Sequence, residues 1–180
     1  MTLQELVAKG ISPELAVFIT SMIPIVELRG ALPLAINLFH IPWYEAFFLS
    51  FIGNILPVPF IFLFLKPLTD LLCKIPFFKR FFDWLFKRTR GKGSAIEKYE
   101  EIGLLVFVAI PLPGTGAWTG ALLAYLMALD FKKSFLFISL GVFAAGIIVT
   151  SLCLLGWTGA IIAGIGLGIY VLINIIRVTK

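Results

Sequence analysis

Apolar residues run along this chain in blocks cut repeatedly by Pro, Gly and a few charges, and the lengths of those blocks predict its elements. Ser12-Pro13-Glu14 reads as a helix start, with a capping hydroxyl, a proline at the first helical position and an acid in the first turn. A helix from Pro13 runs only to about Ile23 before Pro24. Eleven residues at about 1.5 Å each make roughly 16 Å, half of a hydrocarbon core about 30 Å thick. The block from Ala31 to Ile41 is equally short. Between the two lies Pro24-Ile25-Val26-Glu27-Leu28-Arg29-Gly30-Ala31-Leu32-Pro33, which sets an acid and a base two positions apart in an apolar run. Residues 12–41 therefore predict a re-entrant helical hairpin with Glu27 and Arg29 in its turn. Such a turn is tolerated at membrane depth only where protein or a water-filled cavity satisfies the backbone.

Pro42 opens the next helix, and Tyr44 to Leu65 is long enough to cross a bilayer. Gly53, Asn54, Pro57 and Pro59 fall near its middle, which allows either a kink with local unwinding or a simple bend. Residues 66–101 then hold nine of the fifteen Lys and Arg residues and read as a linker. At the helical step, Phe77, Phe78, Phe81, Phe82, Trp84, Leu85 and Phe86 share one broad face, Lys79, Arg80, Asp83 and Lys87 take the other, and Arg88 projects at the apolar edge. A basic helix with an aromatic face lies in the interface of an anionic leaflet, not in a nucleic-acid groove, and Arg88 must snorkel there.

The pattern then repeats. Ile102 to Ile110 and Trp118 to Leu129 are two short apolar legs around Pro111-Leu112-Pro113-Gly114-Thr115-Gly116-Ala117-Trp118-Thr119-Gly120, predicting a second re-entrant hairpin over 102–129. Asp130-Phe131-Lys132-Lys133-Ser134 starts a long helix, with a crossing over 134–155, and 157–176 makes one more. Gly141, Ala145 and Gly146, then Ala160, Gly164 and Gly168, suit close helix contacts and allow a homodimer. Gly30-Ala31-Leu32 matches Gly120-Ala121-Leu122, and Phe47-Phe48-Leu49 through Gly53 matches Phe135-Leu136-Phe137 through Gly141. A hairpin adds no crossing and the helix after it adds one, so the second half enters from the opposite side. The predicted fold is one all-α integral membrane domain: an inverted repeat of re-entrant hairpin plus transmembrane helix (12–65 and 102–156), an amphipathic interfacial linker helix and a C-terminal transmembrane helix.

Composition supports this class, since 60% of the 180 residues are hydrophobic, 14% are charged and mean hydropathy is +1.04. Apolar runs along the whole length rule out a cleaved signal peptide as their explanation. The charges fix an orientation: the linker, Lys132/Lys133 and Arg177/Lys180 fall on one side and Lys9 alone on the other, so the linker and C terminus are expected to be cytoplasmic. Cys73 and Cys153 form no disulfide or metal pattern, and His40 is the single histidine. No metal-ligand spacing, no nucleophile beside a base and no G-x-x-x-x-G-K-[ST] loop occurs, so neither metal, cofactor nor enzymatic activity is expected.

The two interruptions carry the candidate chemistry. A charge at bilayer depth costs roughly 2.5 to 3.5 kcal/mol on insertion scales, so Glu27 and Arg29 need a reason to be there. Arg29 can grip a phosphate or carboxylate bidentately, and Gly114, Thr115 and Gly116 can bring bare backbone to an anion. Glu27 has two readings, as structural partner of Arg29 or as a carboxylate whose protonation couples transport to a gradient. Gly30, Pro33, Pro111 and Pro113, in the same two stretches, are counted with them in the substrate or coupling site. Asn37, Asn54 and Thr119 either complete the site or make ordinary interhelical hydrogen bonds, and Trp118 is either packing or a substrate wall.

Glu27-Leu28-Arg29-Gly30-Ala31-Leu32-Pro33 and the Pro111 to Gly120 stretch resemble the two signatures of the small multidrug export protein family, over roughly Ile11 to Gly156. That family in turn resembles the DedA/VTT (SNARE-associated Golgi protein-like) membrane proteins. This more distant resemblance implies paired re-entrant hairpins and a link to lipid translocation, undecaprenyl phosphate included. DedA-like proteins carry arginines in the second hairpin, whereas here no Lys or Arg falls between Ile102 and Leu129. The resulting expectation is a gradient-driven transporter or flippase in a prokaryotic plasma membrane, moving an amphipathic, anionic substrate such as a lipid phosphate or a drug-like molecule. A non-transporting membrane scaffold is the alternative, and an intramembrane enzyme comes third.

Overall fold

In the computed structural model, which describes residues 10–77, 79–80, 83, 94–112 and 114–178, the described residues form helices and connecting turns. Helix α1 (Pro13–Met22) starts where its cap residues place it, with the Ser12 hydroxyl accepting the Leu15 N–H at 3.3 Å and Pro13 in the first turn. After a turn over residues 23–26, α2 (Glu27–Pro33) begins and runs directly into a π-helical turn, Leu34–Leu38. Glu27 and Arg29 thus lie in the first turn of α2, not in the connecting turn where their polarity had placed them. Glu27 enters the helix with φ +50°, a left-handed conformation that a non-glycine residue adopts only when its surroundings enforce it. Pro33 sits inside α2, and the change to π geometry follows immediately.

Pro42 caps α3 (Trp43–Ile55), and α4 (Pro57–Leu72) continues it after Leu56, which stays right-handed helical. Pro57 and Pro59 have no N–H to return to the preceding turn, which explains the break. The apolar helix therefore covers Trp43–Leu72, seven residues past Leu65, and takes Lys66 and Asp70 from the expected linker. Most of the predicted aromatic face of that linker (Phe78, Phe81, Phe82, Trp84, Leu85, Phe86) and Arg88 lie outside the described residues.

Helix α5 (Ser94–Ala109) begins eight residues before the expected leg at Ile102 and absorbs the end of the linker. Glu101, within it, is buried and paired with Lys133 at 3.1 Å. Helix α6 (Ala117–Leu126) is shorter than the leg expected to reach Leu129, and α7 (Phe131–Leu154) starts where the Asp130 side chain accepts the Lys133 N–H at 3.1 Å. Gly156, at φ +58°, turns the chain into α8 (Trp157–Val178).

Several features recur 88 positions apart. His40 (φ +52°) and Ala128 (φ +56°) share a left-handed conformation just before the caps Pro42 (φ −51°, ψ 135°) and Asp130 (φ −60°, ψ 135°). Gly53 and Gly141 recur in role as well. A Cβ on Gly53 would stand 2.5 Å from the Phe18 carbonyl oxygen in α1, and one on Gly141 2.8 Å from the Leu105 carbonyl oxygen in α5. Each marks where a longer helix presses its backbone onto a short helix two elements before it, α3 on α1 and α7 on α5. The second short helices cross over, α2 packing on α7 and α6 on α4.

The core is Val17, Leu28, Leu32, Leu104, Val108, Ile138 and Val142, with Phe47, Phe51 and Phe143 packed edge to face at 5.4–5.8 Å. Outward faces are also apolar: Phe48, Leu63, Phe64 and Leu136 are more than half exposed, as lipid-facing side chains are. Among the described residues, Trp43–Leu72 and Phe131–Leu154 are long and apolar enough to cross a membrane. Gly141, Ala145 and Gly146 are buried as their size predicts, whereas a Cβ on Gly164 or Gly168 would meet nothing within 4 Å.

Candidate functional site

A helix ending in an apolar interior leaves up to four carbonyls or N–H groups without intrahelical partners, and two ends of the second helix pair are met by one short stretch of α2. The chain leaves α5 through Ile110, Pro111 and Leu112, and Arg29 reaches across to it. Its Nη1 donates to the Leu112 carbonyl at 2.8 Å, and its Nη2 faces the carbonyls of Thr115, Val108 and Ile110 at 2.9, 3.1 and 3.2 Å. A cation at a helix C-terminal end also meets the negative end of the macrodipole. Arg29 Nε is buried without a partner.

Glu27 does the converse job. Its carboxylate lies at the N-terminal end of α6, where the Trp118 N–H donates to Oε1 at 3.4 Å and the Ala117 amide also points to the carboxylate. It fits there because Gly116 has no side chain: a Cβ would lie 1.5 Å from Glu27 Oε2. The nearest Arg29 nitrogen is 3.6 Å from the same carboxylate, an ion pair longer than a hydrogen bond. One acid–base pair therefore caps both helix ends of the opposite turn.

The remaining contacts hold the turns in register. The Thr115 hydroxyl lies 2.7 Å from the Ile110 and 2.8 Å from the Leu112 carbonyl, and Thr119 Oγ1 donates to the Gly116 carbonyl at 3.1 Å. Trp118 donates its indole N–H to the Met22 carbonyl at 3.0 Å, so the second pair caps the C-terminal end of α1 in return.

Beside this cluster is a cavity of about 960 Å³, walled by both turns on one side and by α7 and α8 on the other. Of the residues singled out from the sequence, Glu27, Arg29, Gly30, Pro33, Asn37, Pro111, Gly114, Gly116 and Thr119 line it. Thr115 and Trp118 stand behind as fasteners. Asn54 is buried in α3 with its amide oxygen unpartnered and is not in the cavity wall, and Pro113 lies outside the described residues. Sequence reasoning missed the third wall, made by Ile148 and Leu152 of α7 and Gly159, Ala160, Leu167 and Tyr170 of α8. The glycines of α8 were its signal, because Gly159 lets α8 close onto the Leu152 carbonyl. Among the described residues no group of three or more His, Cys, Asp or Glu side chains can hold a metal ion.

A family profile described as "Putative small multi-drug export protein" matches residues 27–148, from the first residue of α2 through most of α7. No curated protein and no solved structure matches the chain.

Proposed function

The chain belongs to the small multi-drug export protein family, and from that premise we propose that it is a gradient-driven transporter or flippase carrying an amphipathic molecule through the cavity between the two turns. The observation that carries the reading is the cavity itself. It is large, mostly apolar and bordered at one end by the Glu27–Arg29 pair, and sites for drug-sized ligands have this composition and span roughly 300–1,000 Å³. With no nucleotide-binding loop in the sequence, the energy comes from gradients. A potential of 100 mV is worth about 2.3 kcal/mol per charge, enough to bias an alternating step.

In this reading α1–α2 and α5–α6 are re-entrant hairpins of an inverted repeat whose turns meet near the midplane. The recurrence of the His40/Ala128 and Gly53/Gly141 features supports two equivalent halves, and the crossed packing of α2 on α7 and α6 on α4 supports a two-fold relation between them. The excess of Lys and Arg in the linker and at the C terminus supports a cytoplasmic side for those segments. The lipid bilayer is the protein's immediate partner, and the open Gly164 and Gly168 positions allow a second copy to pack on α8.

Arg29 is principally structural here, because its terminal nitrogens hold the opposite turn together. Clamping an anionic head group such as a lipid phosphate requires their release from those carbonyls. Glu27 is the residue left for coupling. In proteoliposomes, Glu27→Gln is expected to keep the fold and abolish the response of export to a pH gradient. Wild-type flux and pH response in this variant would make the pair purely structural, and a wild-type protein that moves no substrate above empty liposomes would favour a scaffold.

A further inference from the structure

What the cavity recognises depends on what Glu27 and Arg29 have left to offer. A guanidinium has five N–H donors. The terminal nitrogens of Arg29 face four backbone carbonyls at 2.8–3.2 Å, and its Nε is buried. Nη1 keeps one further N–H, with Glu27 the nearest carboxylate at 3.6 Å, and the Nε–H is buried without a partner, so gripping an anion with the two-nitrogen fork requires undoing the end of α5. A carboxylate accepts about four hydrogen bonds, and among the described residues Glu27 is held by the long contact from Trp118 and the Ala117 amide, with Arg29 beyond hydrogen-bond distance.

Net charge does not choose between anion and cation. Arg29 is balanced by the negative end of α5 and Glu27 by the positive end of α6, each worth about half a unit charge. Hydrogen-bonding capacity does choose, and other acceptors share the wall. Pro33 has no N–H to return to the Arg29 carbonyl, which loses its helical donor. The Thr119 hydroxyl gives its proton to Gly116, so its own lone pairs are what it can offer.

We infer that the cavity takes a lipophilic cation carrying N–H donors, a protonated amine or amidine, with its apolar body against α7 and α8 and its donors toward Glu27. This rests on the export reading above and narrows the substrate class of the same site.

Rhodamine 123 and fluorescein methyl ester share one xanthene shape. The first is a cation with N–H donors, and the second is an anion with oxygens in their place. Binding to the full-length protein in nanodiscs, read by fluorescence anisotropy against empty nanodiscs, is expected to favour the cation at least tenfold. Glu27→Gln should remove that preference and Glu27→Asp should keep part of it. Tighter binding of the anion overturns the inference and leaves the export reading standing. Saturable binding of neither dye overturns both. Undiminished preference in a folded Glu27→Gln protein removes Glu27 from recognition and overturns the inference. If that variant does not fold, the comparison of dyes on the wild-type protein decides alone.

Discussion

The first helix pair carries an acid and a base within three residues of α2, whereas the second, between Ile102 and Leu129, has no Lys, Arg, Asp or Glu and turns on Pro and Gly. Both must end two short helices inside an apolar protein. The second supplies bare backbone, with carbonyls from Val108 to Thr115 and amides at Ala117 and Trp118, and the first supplies the charges that satisfy it. Repayment in the other direction is one neutral bond, from the Trp118 indole to the Met22 carbonyl. The contrast teaches that the charges of α2 and the glycines of the second turn form one device. Glu27 needs Gly116 to be bare, and the turn after α5 needs Arg29 to be charged.

Removing the charged side of the device should have the largest effect. Arg29→Ala leaves the Val108 and Thr115 carbonyls without their donor and Glu27 without its counter-ion. Breaking a buried pair from one side costs about 3–5 kcal/mol, so unfolding in mixed micelles should shift by that order. Arg29→Lys should recover only part, because an ammonium is a point charge without the planar fork that reaches several carbonyls. Wild-type stability of Arg29→Ala would show that the turns do not depend on each other.

The matched glycines sharpen the comparison in a different place. Gly53→Ala and Gly141→Ala each push a methyl group to within 2.8 Å or less of a carbonyl oxygen, of Phe18 and Leu105 respectively. Overpacking typically costs about 1–3 kcal/mol. The two variants should be destabilised alike, by thermal unfolding, if the long helix of each half meets its short helix in an equivalent way. A large cost at one site and none at the other would mean that the 88-residue recurrence is only a coincidence of sequence.

How far these features can be read without coordinates depends on whether the signal is local. The starts at Ser12-Pro13, Pro42 and Asp130 are local, since a cap and its first turn are neighbours in sequence, and the helices begin there. Gly53 and Gly141 are legible as small residues in apolar runs, and each meets a carbonyl oxygen of a neighbouring helix. The start of α2 is not legible in this way, because polar residues in an apolar run point to a turn rather than a helix. Glu27 and Arg29 are polar inside a helix because their partners lie about 80–90 residues away, a distance that spacing does not report. The charged composition of residues 66–101 reads as a linker and hides the start of α5 at Ser94. The cavity needed α8 in place, and nothing in the Gly159 to Gly168 spacing says which glycine touches α7 and which faces open space.

The smallest predicted effect tests the return bond. Trp118→Phe keeps a large aromatic ring at a partly buried position but removes the indole N–H that meets the Met22 carbonyl at 3.0 Å. A neutral hydrogen bond contributes about 0.5–1.5 kcal/mol, so the loss should be a fraction of that for Arg29→Ala. The Met22 carbonyl lies at the last residue of α1, and the turn beyond it is open at Ile23, Pro24 and Ile25. Water in the cavity that Pro24 and Ile25 line can therefore replace the indole there. Amide exchange should register the difference, rising in residues 20–26 of Trp118→Phe while the Val108 to Thr115 turn keeps its protection. A Trp118→Phe protein as unstable as Arg29→Ala would mean that the two pairs hold each other through ring packing, and the asymmetry between a charged cap and a neutral one would carry no weight.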